Sequence, residues 1–142
     1  MLIADLLRHK GSEVITIGPG DSVTQLVSLL TENRIGAVVV VTEQGMVGIV
    51  SERDVVHRLY ADGADALAAP VSDLMTTDVF TCSPNDSVDT IGSAMTDQRI
   101  RHMPVLSDGQ LVGIVTIGDV VAGRIRQLEL DRGQLENYIT NG

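Results

Sequence analysis

The stretch VITIGPGDSVTQLVSLLTENRIGAVVVVTEQGMVGIVSERDVV, residues Val14–Val56, occurs in this chain a second time in altered form. Displaced by 65 positions, it aligns without a gap on Val79–Val121, and 18 of the 43 aligned residues are identical. A repeat unit of this size rarely buries its apolar face alone, so the two copies are expected to pack on each other. Such packing predicts a pseudo-twofold axis and matched clefts, where paired ligand sites are expected.

Length and composition favour a small globular protein with an aliphatic core. At 142 residues the chain fits one compact domain, or two small repeats that share a core. Apolar residues make up 44% of the sequence but aromatic residues only 2%, so Val, Ile, Leu, Met and Ala must fill the interior.

Charge and cysteine content disfavour several classes of function. The net charge of −9 argues against binding to nucleic acid or to an anionic membrane, since such affinity comes mainly from Lys and Arg. The single cysteine excludes an intrachain disulfide, and the three scattered histidines lack metal-ligand spacing, so no metal is expected. Without a signal peptide or an apolar run of membrane-spanning length, we expect a cytoplasmic protein.

The spacing of apolar and turn residues predicts the order β-α-β-β-α in each copy, preceded by a short amphipathic helix over residues 1–9. The predicted elements of the two copies are, in order, Val14–Ile17, Val23–Asn33, Ala37–Val41, Met46–Val50 and Ser51–Tyr60, and then Val79–Cys82, Ser87–Gln98, His102–Leu106, Leu111–Val115 and Ile117–Leu128. This order predicts an α/β (α+β) fold of two repeats packed with pseudo-twofold symmetry. The repeats are predicted to span residues 8–66 and 74–130, with a C-terminal tail over 131–142.

The most informative local motif lies at the same place in both copies, as GIVSERD (Gly48–Asp54) and GIVTIGD (Gly113–Asp119). A buried strand runs into a hydroxyl residue, and an acid follows three positions later. One interpretation is a capping box that closes the start of a helix. The other is a ligand site, in which the helix start and the hydroxyl of Ser51 or Thr116 bind phosphate while Asp54 or Asp119 binds ribose hydroxyls. Its presence in both copies favours the ligand site.

Potential cations distinguish the two copies. The second copy has Arg101-His102 before its central strand, where the first has Gly36-Ala37, and Arg53 of the first copy is replaced by Gly118. An Arg at a strand entrance suits the bidentate binding of a phosphate, although a solvated Arg–carboxylate pair is the alternative. The two sites are therefore predicted to be chemically unequal.

The first strand of each copy ends at a position suited to reading an adenine ring. Backbone N–H and C=O groups near Thr16, Thr81 and Cys82 can match the edge of the base, while aliphatic side chains clamp its faces. Cys82 aligns with Ile17, so its side chain is expected to fill an apolar position. The sequence contains no triad, phosphate-loop or dinucleotide-binding motif, and no catalytic residue is predicted.

The chain resembles a tandem pair of cystathionine β-synthase (CBS) domains. The features that carry the resemblance are the β-α-β-β-α repeat, the two Gly-Ile-Val-[Ser/Thr]-x-x-Asp segments and Arg101–Pro104. Such a pair is also called a Bateman module, and the chain is similar to stand-alone CBS-pair proteins. The resemblance implies binding of an adenosine-containing ligand (AMP, ADP, ATP, NAD or S-adenosylmethionine) in clefts between the repeats, and a homodimer.

Carried over by residue, the resemblance implies that Asp54 and Asp119 hold ribose hydroxyls and that Ser51 and Thr116 contact phosphate or ribose. Arg101, His102 and Arg53 would neutralise phosphate. The implied function is a non-catalytic regulatory module that signals energy or redox state to a partner protein. The alternative is a ligand-free module for dimerisation or protein interaction.

Overall fold

The computed structural model describes residues 1–141, which form two compact units. The first-repeat unit is Glu13–Phe80. The second-repeat unit combines Met1–Ser12 with the chain from Thr81 onward, so it is assembled from two separate stretches of sequence.

The elements confirm the predicted class, a mixed fold of helices and strands in two repeats. The helices are α1 (Ile3–Lys10), α2 (Val23–Asn33), α3 (Glu52–Asp62), α4 (Val88–Gln98) and α5 (Ile117–Asn141). The strands are β1 (Thr16–Ile17), β2 (Ala37–Thr42), β3 (Gly45–Ser51), β4 (His102–Ser107) and β5 (Gln110–Thr116). Two 3-10 segments, Gly63–Ala68 and Val71–Asp73, follow α3.

The first-repeat unit is built on a three-stranded sheet in the order β1-β2-β3. β1 is parallel to β2, and β2 is antiparallel to β3. Alternate residues of β2 and the apolar face of α2 share one buried cluster, which includes Val38, Val40, Val23 and Leu26. An all-aliphatic core follows directly from the composition, because this unit has almost no aromatic side chains to bury.

The second-repeat unit has only a two-stranded sheet, β4-β5. The strand predicted over Val79–Cys82 is wrong in extent, because a single parallel bridge between Cys82 and Val105 replaces it. The reason is Pro104, which aligns with Val39 of the first repeat. The Thr16–Val39 bridge needs a backbone N–H at that position of the central strand, and proline has none.

Helix α5 is longer than predicted. It continues from Ile117 to Asn141, past the predicted end near Leu128 and through most of the predicted tail, whose last residue, Gly142, lies outside the described residues. Side-chain bonds four residues apart support this extension, with Gln127 bonded to Asp131 and Arg132 to Glu136. Within residues 1–141, no helix is long and apolar enough to cross a membrane.

Each unit is completed by a segment that docks on the first turn of its first long helix. In the first-repeat unit, the Val71 N–H donates to the Asp21 carbonyl and the Val23 N–H to the Ala69 carbonyl. In the second-repeat unit, the Ile3 N–H donates to Asp86 and the Val88 N–H to Met1. We call Met1–Lys10 and Ala69–Asp78 the docking segments. Their equivalent residues are 68 positions apart in the sequence, whereas equivalent residues of the two repeats are 65 positions apart.

The same segments press against a glycine in the hairpin of each unit. A Cβ on Gly48 would lie 2.8 Å from the Thr76 carbonyl oxygen, which belongs to backbone that pairs with Ile49 of β3. A Cβ on Gly113 would lie 2.6 Å from the Cδ2 atom of Leu7, the mobile end of a side chain. Both glycines permit a close approach, but the neighbour is rigid only at Gly48.

This difference leads to a prediction about stability. Gly48→Ala should lower the free energy of unfolding by about 1–3 kcal/mol, the usual cost of overpacking, because backbone must move to admit the methyl group. Gly113→Ala is the matched control and should cost less, since Leu7 can change rotamer. Urea denaturation of both variants measures the two costs, and an equal or larger loss for Gly113→Ala would contradict the proposed difference in rigidity.

Candidate functional site

In the first-repeat unit, the junction between β3 and α3 holds a closed hydrogen-bonded loop. Ser51 is the N-cap of α3, and its hydroxyl oxygen accepts from the Asp54 N–H at 3.3 Å. In return, Asp54 Oδ2 accepts from the Ser51 N–H at 2.8 Å and from the Ser51 hydroxyl at 3.1 Å. The capping box predicted from the motif is confirmed here.

The junction between β5 and α5 repeats this arrangement in the second-repeat unit. Asp119 Oδ2 accepts from the Thr116 N–H at 2.8 Å, and Thr116 Oγ1 accepts from the Asp119 N–H at 3.1 Å. A cation is added here, because the Lys10 ammonium donates to the same Oδ2 atom at 2.6 Å. Lys10 also donates to the Ile114 carbonyl oxygen at 2.9 Å.

Both carboxylates use only one of their two oxygens. Among the described residues, the Oδ1 atoms of Asp54 and Asp119 accept no hydrogen bond. Every hydrogen bond that either carboxylate accepts falls on its Oδ2 atom. Both side chains are half-buried. A half-buried carboxylate oxygen with open lone pairs is an acceptor that a ligand hydroxyl can use without breaking the cap.

The entrance of the central strand lies against the start of the following helix in each unit. The Ile117 N–H donates to the Arg101 carbonyl at 2.9 Å, as the Glu52 N–H donates to Gly36. His102 lies directly across the β4–β5 ladder from Thr116. The structure therefore brings Arg101, His102, Thr116 and Asp119 to one edge of the second-repeat unit.

The two predicted arginines are positioned to meet solvent or a ligand. Arg101 and Arg53 are both exposed, and within residues 1–141 neither forms a salt bridge. The alternative of an Arg–carboxylate pair at the strand entrance is therefore not observed for Arg101. His102 is half-buried.

The residues predicted at the ends of the first strands have different environments. Thr16 is exposed and pairs with Val39, two residues along β2 from Ala37, which pairs with Ser51. Thr81 is also exposed, whereas Cys82 is buried in the apolar cluster of its unit.

The chemistry of the Cys82 thiol follows from its burial. Desolvation, with a smaller contribution from the negative charge of Asp86, raises the pKa of the Cys82 thiol to about 12. The thiol is therefore protonated at neutral pH, which fits the apolar position that the repeat alignment predicts.

Two surface depressions lie near these elements. One, of about 360 Å³, is lined in part by Gly36 and Glu52, beside the first-repeat junction. The other, of about 630 Å³, is a groove between α4 and α5, and none of the predicted site residues lines it. No group of three or more His, Cys, Asp or Glu in the described part of the chain could hold a metal ion.

Lys10 is the residue that sequence reasoning missed. From the sequence it marks only the end of the first helix, because its contacts with Ile114 and Asp119 join residues more than a hundred positions apart. A faint signal exists in the second offset. Ile3-Ala4-Asp5-Leu6-Leu7 aligns with Val71-Ser72-Asp73-Leu74-Met75 at an offset of 68, which indicates that the two segments are equivalent but does not say which repeat each one contacts.

Comparison with known proteins places these junctions in a family context. The profile of the CBS domain matches residues 3–61 and 71–125. The crystal structure of the CBS-domain-containing protein ATU1752 from Agrobacterium tumefaciens is 42% identical to this chain, with a TM-score of 0.84. The match covers 87% of this chain and 92% of that chain.

Two further relatives extend the comparison. The CBS domain pair of protein MJ0100, crystallised in complex with 5′-methylthioadenosine and S-adenosyl-L-methionine, is 25% identical, with a TM-score of 0.79. That match covers 89% of this chain and 98% of that chain. The mitochondrial CBS domain-containing protein CBSX3 of Arabidopsis thaliana is 32% identical over 149 residues, which cover 99% of this chain and 72% of the relative.

The burial of Cys82 leads to a prediction about its reactivity. Cys82 is the only cysteine in the sequence, so alkylation of the protein reports on it alone. At pH 8, iodoacetamide should react with the folded protein far more slowly than with the protein in concentrated urea, because a thiol with a pKa of about 12 holds almost no thiolate. Mass spectrometry measures both rates, and rapid labelling of the folded protein would contradict a buried, protonated thiol.

Proposed function

Since the chain belongs to the CBS-domain family and carries two such domains in tandem, we propose that it is a non-catalytic regulatory module that binds an adenosine-containing nucleotide. The ligand class is AMP, ADP, ATP or NAD, bound at the junctions between strand and helix in the two repeats. The bound nucleotide reports energy or redox state to a partner protein.

The observation that carries this proposal is the half-used carboxylate at the same place in each repeat. Asp54 and Asp119 both engage their backbone cap through Oδ2 and leave Oδ1 open. Two adjacent ribose hydroxyls are suitable donors to such an oxygen, because hydrogen bonds to a charged acceptor are the strong ones.

Phosphate binding is supported by the groups around these carboxylates. In the second repeat, Arg101 directly precedes β4, and its carbonyl bonds to the first residue of α5. The first turn of that helix favours an anion through its backbone N–H groups and its dipole. Thr116 and His102 face each other across the same ladder, which adds a hydroxyl and an imidazole. In the first repeat, the exposed Arg53 follows the cap at Ser51.

The adenosine class also agrees with the ligands of a related structure. The MJ0100 domain pair was crystallised with two molecules that share an adenosine group, 5′-methylthioadenosine and S-adenosyl-L-methionine. Regulation then requires only that the nucleotide bind two states of the protein with different affinity, since a ligand shifts an equilibrium by that difference.

The test is calorimetric titration with AMP, ADP, ATP and NAD. Asp119→Asn and Asp54→Asn keep an amide oxygen for the cap but remove the charge that ribose hydroxyls would bind. Each should weaken binding at its own repeat by about tenfold or more, since a hydrogen bond to a charged group contributes about 1.5–3 kcal/mol.

The control is Asp97→Asn, which removes the charge of an exposed carboxylate on α4 in the second-repeat unit. It should leave nucleotide affinity unchanged. Protein that is verified to be free of nucleotide and binds none of the four ligands would overturn the proposed function.

A second candidate function, self-association, is supported by α5. Its exposed apolar residues Val121, Ile125, Leu128, Leu135 and Ile139 fall at alternating spacings of three and four, with Arg132 in the same series. This is the spacing of a coiled-coil seam, in which a second copy would cover the stripe. Asp131 and Glu136 flank Arg132 and would supply its partners across the seam. We therefore propose a homodimer through α5.

Sedimentation of three variants tests the dimer. Leu128→Glu and Leu135→Glu place charge on the stripe and should convert the dimer to monomer, because a buried unpaired carboxylate is costly. Leu130→Glu is the matched control, since Leu130 is equally exposed but lies off the stripe, and it should leave the dimer intact. A monomeric parent protein, or dissociation by Leu130→Glu alone, would exclude this interface.

A further inference from the structure

Lys10 occupies a specific position in the second-repeat unit. It is the last residue of α1, and Gly11, whose φ of 96° suits glycine, ends the helix directly after it. From there the ammonium group reaches Asp119 Oδ2 at 2.6 Å and the Ile114 carbonyl at 2.9 Å. The side chains of Lys10 and Asp119 retain 30% and 23% of their exposure, so the pair lies at the surface of the junction and a ligand can reach it.

The ammonium group has capacity left for a ligand. A lysine has three N–H donors and no acceptor, and the two contacts above use two of them. Asp119 likewise keeps Oδ1 open. A molecule that offers a hydroxyl to Asp119 Oδ1 would therefore meet an unused N–H of Lys10 close beside it.

The first repeat has no equivalent of this lysine. In the offset of 68 that relates the two docking segments, Lys10 aligns with Asp78, which is exposed. The backbone acceptor that corresponds to the Ile114 carbonyl is the carbonyl of Ile49, and there the Thr76 N–H occupies it at 2.8 Å. The docking segment of the second repeat thus brings a cation to its junction, whereas the residue aligned with Lys10 in the other segment is an acid.

The charges around the two carboxylates differ accordingly. At the second-repeat junction, Lys10 neutralises Asp119, and the strand entrance adds Arg101 and His102. At the first-repeat junction, Arg53 stands between two acids in sequence, Glu52 and Asp54, and in the described chain Asp54 forms no salt bridge. Only the second junction combines a ribose acceptor with a surplus of positive charge.

From this arrangement we infer that Lys10 is a ligand-binding residue of the second-repeat site and makes that site select phosphorylated nucleotides over uncharged adenosine. The inference rests on the proposed function, because it assigns a role within the same site. The carboxylate recognises the ribose, which adenosine and AMP share. Lys10 recognises the 5′-phosphate, which only AMP carries, and the phosphate lies a few bonds away along the same sugar.

A purely structural role for Lys10 makes a different prediction. If the ammonium group only pinned α1 to the junction, its loss would disturb Asp119 and weaken adenosine and AMP alike. If it binds phosphate, its loss weakens AMP alone. The ratio of the two affinities therefore separates the two roles, whatever happens to the stability of the fold.

The experiment is calorimetric titration of the full chain with AMP and with adenosine, in an Asp54→Asn background that weakens the first-repeat site. Lys10→Met removes the charge and keeps the length of the side chain. It should raise the Kd for AMP by about tenfold or more, the effect of one charged hydrogen bond. The Kd for adenosine should change by less than about twofold.

Two further variants serve as controls. Lys10→Arg keeps the positive charge and should retain most of the preference for AMP. Arg8→Met removes a cation two residues earlier on α1, where its partner is Asp5, and should change neither affinity. Raising the salt concentration should weaken AMP binding more in the parent protein than in Lys10→Met, because screening acts on the charge that the variant lacks.

The outcomes distinguish this inference from the proposed function. If the parent binds both ligands and Lys10→Met weakens both equally, or weakens neither, Lys10 does not select phosphate and only this inference is overturned. If the parent protein binds neither AMP nor adenosine, the proposed function and the inference both fail. Loss of AMP affinity alone, restored by Lys10→Arg, is the supporting result.

Discussion

The hydrogen bond from the last residue of a strand to the carboxylate three positions later joins strand to helix at the candidate site of each repeat. At 2.8 Å from Ser51 to Asp54, and at 2.8 Å from Thr116 to Asp119, it fixes where the hairpin ends and the closing helix begins. Because it needs only one carboxylate oxygen, it also leaves the other in place for a second partner. The capping box and the proposed ligand site are therefore compatible, since the cap uses one oxygen of the carboxylate and the proposal uses the other.

The docking segments make the two strand–helix junctions differ in charge. Each repeat is completed by a short segment that bonds to the start of its first long helix and presses on a glycine of its hairpin. The two segments dock in the same way but end differently, in Lys10 and in Asp78. Both copies of the repeat keep the carboxylate, and the contact of Lys10 with Asp119 gives the second-repeat junction a positive charge at its carboxylate that its own repeat does not supply.

Much of the fold could be predicted from local pattern. Hairpin strands, capped helices and the aliphatic core follow from periodicities that span only a few residues. The errors have nonlocal or subtle causes. Pro104 fits within a predicted strand but removes the N–H that the neighbouring strand needs, so Val79–Cys82 forms a single bridge. Helix α5 passes its predicted end because side-chain pairs four residues apart support it before and across Gly133.

Local sequence is enough to specify the repeat, the order of its elements and the pairs Ser51–Asp54 and Thr116–Asp119, because these depend on hydrogen bonds between residues three apart. The folded chain was needed to show that α1 packs with the second repeat and that His102 pairs with Thr116 across the sheet. It was also needed to show that the Lys10 ammonium group bonds to Asp119. The last contact joins residues 109 positions apart. No local period encodes such a contact, which exists only because the docking of α1 carries the end of that helix to the junction.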